Sequence, residues 1–148
     1  MLLFTEHAIG RDVFLSAGII QPISELWNDT EDIVRRNAHR ALKMISETPL
    51  GADGIVSCKL VPKLVAKLPG ELDEIKILIL DELHFCMGIE TTDALAAEGM
   101  ETFTALLIHE NPEIRSRAAR NIMDIRYAET EKSNVLMAKQ AVHTLGRL

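Results

Sequence analysis

The chain is poor in the residues that most readily announce a function. Of its 148 residues only two are cysteine, five are proline and 4% are aromatic. Two cysteines cannot staple a disulfide-dense secreted scaffold, and Cys58 and Cys86 lack the Cys-x-x-Cys spacing of redox sites. Basic residues number 16 against 22 acidic ones, a formal net charge of −6. That balance excludes a protein whose main task is gripping phosphate backbones, so no nucleic-acid partner is expected. The longest unbroken aliphatic run is Ile77 to Leu80. It falls far short of the roughly 20 residues that span a bilayer, so no membrane partner is expected either. The opening Met1-Leu2-Leu3-Phe4 turns polar at Thr5 with no basic leader, which predicts a soluble, cytoplasmic chain with reduced thiols. In that compartment the glycosylation sequon Asn28-Asp29-Thr30 goes unused.

Catalytic motifs are missing as well. Gly51-Ala52-Asp53-Gly54 lacks the lysine of a phosphate loop, and no Gly-x-Ser-x-Gly elbow occurs. His109-Glu110 has no second histidine at metalloprotease spacing. Asp81, His84 and Cys86 have the composition of a metal site. On a helix, however, residues two apart point about 200° away from each other, and one cation does not readily take both. No enzyme activity and no cofactor are expected.

What the chain does have is self-similarity, which decides architecture before any local feature does. Gly18 to Trp27, Lys59 to Leu68 and Gly99 to Ile108 align, and a partial copy begins at Lys139. Each full copy is followed by a polar break and a longer helical stretch, starting near Glu31, Asp73 and Pro112. Within these stretches Ile33, Ile75 and Ile114 form one column, and Ala41, Leu83 and Ile122 another. Val34, Ala38, Ala41, Leu42 and Ile45 mark one helical face. Asn111 before Pro112 is an N-cap followed by proline at the first helical position, and Asp29 or Thr30 fits the same role earlier. Shorter pieces at 7–17, 49–57, 92–98 and 133–139 read as a first short helix in each copy. The middle long helix, apolar nearly all round, should be the most buried.

Three helices per period of about 40 residues is the armadillo/HEAT period. The expectation is an all-α, armadillo/HEAT-like right-handed α-solenoid of about three full three-helix repeats with partial repeats at both ends. Residues 1–6 would be the tail of a preceding repeat; 7–46, 47–87 and 88–126 would be full repeats and 127–148 a partial one, all in a single domain. Long third helices line the concave surface of such stacks. A polar, partly basic stripe of Arg36, Arg40, Lys43, Arg117 and Asn121 is therefore the candidate protein-binding face. Glu82 and Phe85 interrupt it. The importin-type peptide clamp is absent: the positions that would hold its Trp–Asn pairs are Arg40/Met44, Glu82/Cys86 and Asn121/Ile125.

The segments Ala8 to Leu15, Pro49 to Ser57, Asp73 to Asp81 and Asn111 to Arg120 together resemble an axonemal armadillo family, that of radial spoke head 14. The likeness runs from about His7 to Ile125. It implies a non-enzymatic structural subunit of the radial spoke in motile cilia or flagella, located in the axoneme and held among other radial spoke proteins. It supplies no catalytic residues. The alternative is a soluble cytosolic armadillo adaptor that binds a peptide or regulatory protein through the concave long-helix face.

Solenoid ends need polar caps, and here both are expected to leave apolar faces open for a partner or further repeats. The isolated chain should therefore self-associate or melt at low temperature. Sedimentation and thermal melting check this: a high-melting monomer would refute it.

Overall fold

The structure is a computed structural model that describes residues 18–147. The expected tail at 1–6, the short helix at 7–17 and the family-like stretch Ala8 to Leu15 lie outside the described residues.

All regular structure among the described residues is helical. Eight α-helices follow in order: α1 (Ile20–Glu25), α2 (Asp32–Ser46), α3 (Pro49–Ser57), α4 (Val61–Lys67), α5 (Asp73–Met87), α6 (Thr92–Ala96), α7 (Gly99–Leu106) and α8 (Pro112–Gly146). Single 3-10 turns extend α1 over Leu26–Asn28 and α4 over Leu68–Gly70. The long helices start at 32, 73 and 112, steps of 41 and 39. The same steps separate the three described residues with left-handed backbone, Gly18 (φ 81°), Lys59 (59°) and Glu98 (63°). Each turns the chain into a medium helix. Glycine adopts this conformation without strain, whereas Lys59 and Glu98 adopt it against the steric pressure of a Cβ.

Local chemistry explains the helix starts. Asn111 accepts a hydrogen bond from Glu113 N at 2.9 Å, with Pro112 at the first helical position. Asp29 accepts from Glu31 N at 2.9 Å just ahead of α2. Thr48 caps α3 by accepting from Gly51 N at 3.1 Å. Acidic residues sit in the first turns of α2, α5 and α8, at the positive helix ends.

The core is a stack. α5 lies between α2 and α8, with α3 and α4 also against it, and α7 packs on α8. Eight residues of α5 are buried, against four each in α2 and α8. Ile75, Ile79, Leu80 and Leu83 are wholly enclosed, beside Leu42 of α2 and Ile114, Ala118 and Ile125 of α8. Ala38 and Ala118 face the neighbouring helices, where a small side chain lets two backbones come close.

Two sequence expectations need correction. The first is a one-residue slip. Ile33 is 56% exposed, while Ile75 and Ile114 are fully buried. The helix starts put Val34, not Ile33, in their column, and Leu42, not Ala41, beside Leu83. The second concerns 127–148. In place of a break, a short helix and a partial repeat, α8 runs unbroken for 35 residues to Gly146. Earlier copies reverse direction at Thr48-Pro49 and at the Gly88–Thr91 turn. No Pro or Gly stands between Pro112 and Gly146, and Ser133-Asn134 alone is too weak a breaker.

Gly51 marks the tightest contact. A Cβ added there would lie 1.9 Å from the carbonyl oxygen of Ile45, whereas one at Gly70 would meet nothing within 4 Å. Gly51→Ala should lower unfolding free energy by about 1–3 kcal/mol or more through overpacking. Gly70→Ala should be near neutral. Equal effects in chemical denaturation would count against this packing.

Candidate interaction surface

The basic stripe does not form one presented face. Arg36 is half-buried and lies 3.5 Å from Glu74 of α5. Lys43 pairs with Glu47 at 2.8 Å within its own helix region. Arg117 donates to Asp81 of α5 at 3.1 Å. Asn121 is a correction: it is wholly buried, with Nδ2 donating to the Leu80 carbonyl at 3.0 Å. Arg120, absent from the candidate set, also donates to Leu80 O (3.2 Å) and to Asp81 (2.8 Å). Arg40 alone of the five is exposed with no carboxylate partner among the described residues. Arg36 and Arg117 thus tie one long helix to the next.

A column that the sequence reading missed does similar work. The fourth residue of each long helix is basic: Arg35, Lys76 and Arg115. Each bonds backbone carbonyls of the turn that enters its own helix: Arg35 to Asp29 O and Thr30 O, Lys76 to Glu71 O, Arg115 to His109 O and Glu110 O. Arg35 also reaches the next unit, donating from Nε and Nη2 to the two Glu71 oxygens at 2.9 and 3.0 Å. Burial alone would raise the Glu71 pKa; the Arg35 guanidinium outweighs it and holds the carboxyl below its usual range.

At the α2–α5 contact lies a fully buried polar pair. His39 Nδ1 and Glu82 Oε2 are 2.9 Å apart, both side chains wholly inaccessible. The Trp27 indole stacks on the His39 ring with centroids 4.7 Å apart and planes within 2°. Burial pushes the two acidities in opposite directions, His39 down to about 3 and Glu82 well above 4.5. Both shifts favour the uncharged forms, in which the Glu82 carboxyl donates to Nδ1. His39 Nε2, Glu82 Oε1 and Trp27 Nε1 have no hydrogen-bond partner among the described residues. Burial also pushes the Cys86 thiol up to about 12, which makes it a poor nucleophile.

The metal-like trio is dispersed. His84 Nδ1 meets Asp124 at 2.6 Å, Asp81 holds two arginines, and Cys86 is in the core. Among the described residues no three His, Cys, Asp or Glu side chains are placed to hold a metal ion. None of the described helices is long and apolar enough to cross a membrane.

Exposed apolar surface collects at the third unit. Trp27 and Leu68 end the first two medium-helix segments and are 1% and 0% exposed. Leu107 takes the corresponding place and is 39% exposed, and Ile108 beside it is 90% exposed. A groove of about 840 Å³ runs between α8 and the turn after α5, with Ile89, Tyr127, Ala128, Val135 and Leu136 among its walls.

No protein-family model matches the chain. Two solved structures of engineered proteins, both structural-genomics targets, share its fold. One superposes with a TM-score of 0.71 at 24% identity, covering 80% of this chain and 30% of its own. The other gives 0.66 at 22% identity, covering 72% of this chain and 44% of its own. This chain therefore spans less than half of either. The likeness establishes an all-helical, solenoid-like fold.

The neutral pair sets a pH signature. Between 4.5 and 6.5 the unfolded chain carries charged Glu82 and charged His39, while the folded pair holds the same single proton on Glu82. The pair then contributes no slope. Above 6.5 the raised Glu82 keeps a proton that the unfolded chain has released, so its contribution is lost as pH rises. Below 4.5 the lowered His39 refuses a proton that the unfolded chain binds, so stability falls with acid. Glu82→Gln should flatten the alkaline limb measured by denaturation from pH 7 to 9. An unchanged slope would mean that Glu82 is ionised.

Proposed function

We propose that this chain is a non-enzymatic interaction scaffold. Its setting is the axonemal radial spoke of motile cilia or flagella, as the likeness to the radial spoke head 14 family implies. The finer architecture proposed with it is a right-handed armadillo stack. The observation that carries the scaffold reading is the exposure of Leu107 and Ile108 at the place where Trp27 and Leu68 are enclosed. A position that serves as a contact between units is here an apolar surface open to a partner. Its mechanism is burial of that surface against a neighbouring subunit, with no turnover.

A second reading, a cytosolic adaptor binding an acidic peptide on the long-helix face, is favoured by Arg40 alone. Arg40 is exposed, and Met44 one turn on is 63% exposed.

Capture of partners from ciliated cells, followed by mass spectrometry, tests both. The scaffold reading expects spoke subunits, lost with Ile108→Glu and retained with Arg40→Glu. Loss with Arg40→Glu alone supports the adaptor. Recovery of no spoke subunit refutes the axonemal setting.

A further inference from the structure

The distal half of α8 has no tertiary partner among the described residues. Residues 127–146 are nearly all exposed and extend for about 30 Å at the usual helical rise. Proximal to them, Ile114, Ala118, Asn121 and Ile125 are buried on the α8 side that packs on α5. Continued at helical spacing, that side carries Ala128, Lys132, Val135 and Lys139, all lining the 840 Å³ groove. Val142 follows at the same i, i+7 spacing from Ala128 and Val135. Val135 is 54% and Val142 70% exposed, so an apolar stripe lies open along a face that is already an interface one turn earlier.

Its charges are polarised. Within 127–146 the acids Glu129 and Glu131 lie toward the core and Lys132 and Lys139 toward the tip, with Arg126 just ahead of the segment. Glu131 and Lys139 have no ion-pair partner among the described residues, although Glu131 accepts a hydrogen bond from the Tyr127 hydroxyl at 3.0 Å. A segment acidic at one end and basic at the other is complementary to itself when reversed.

We propose that residues 127–146 of α8 pair antiparallel with the same segment of a second copy of this chain, forming an isologous dimer. A two-fold axis at Val135 sets Val135 against Val135, Ala128 against Val142 and Glu131 against Lys139. The second helix occupies the groove that Ile89 and Val135 line. This pairing involves neither the Leu107–Ile108 surface nor an axonemal partner.

Sedimentation velocity of the full chain at micromolar concentration tests it. Wild type should be a dimer. Glu131→Lys and Lys139→Glu should each weaken dimerisation by about tenfold or more, because each places like charges opposite one another. The double variant E131K/K139E should restore it, since reversing both charges restores opposite pairing. Both positions are exposed, and circular dichroism verifies that the helix content is kept. A wild-type monomer overturns the proposal. So does a dimer indifferent to both single reversals, which would place the contact elsewhere, or a double variant as weak as the singles.

Discussion

Each long helix is set on the one before it by a buried polar side chain reaching back to a fixed position. From α5, Glu82 reaches His39 of α2; from α8, Asn121 reaches the Leu80 carbonyl of α5. By the helix starts, Glu82 and Asn121 occupy one column and His39 and Leu80 another. Apolar packing alone would tolerate a helix sliding or rotating by a residue. A buried hydrogen-bonding group does not, because a slip strands it away from water at a cost of about 1–3 kcal/mol. Arg35 to Glu71 and Arg120 to Asp81 add outer ties at the same two contacts. The stacking register, and with it every exposed face, follows from these few bonds.

The same constraint explains the fate of the basic stripe. Positive charge on α2 and α8 was legible from i, i+4, i+7 spacing. The acids that occupy it were not, because Glu74 and Asp81 lie 36 to 39 residues away in sequence and meet the arginines only through stacking. An arginine on a long helix of a stack has an adjacent helix within reach on each side. Its first partner is internal, and only one without an acid in the next column, such as Arg40, stays available.

Helix type, the middle helix as the most buried, and the cap at Asn111 could be read from pattern, because periodicity and capping are local. The column slip at Ile33 arose because two adjacent β-branched residues, Ile33 and Val34, fit the pattern equally well in isolation; only contact with α5 separates them. The His39–Glu82 pair is not legible in the sequence, because each resembles a surface residue within its own helix and the pattern places Glu82 on the polar stripe, whereas the structure buries it. Among the enclosed residues of α5, Glu82 is the lone acid. The unbroken α8 was misread because similarity to earlier copies suggested a turn that no residue there can enforce.

That continuity has a thermal consequence. A helix is hard to start and easy to lengthen, and the start of α8 is held by Asn111, Pro112 and its contact with α5. Beyond Ile125 each further residue adds on with a free energy near zero. In an unpaired copy the distal helix therefore has no cooperative melting point of its own. It shortens from the tip as temperature rises and lengthens on cooling, so the reach of this arm is graded while the stack beneath it remains all-or-none.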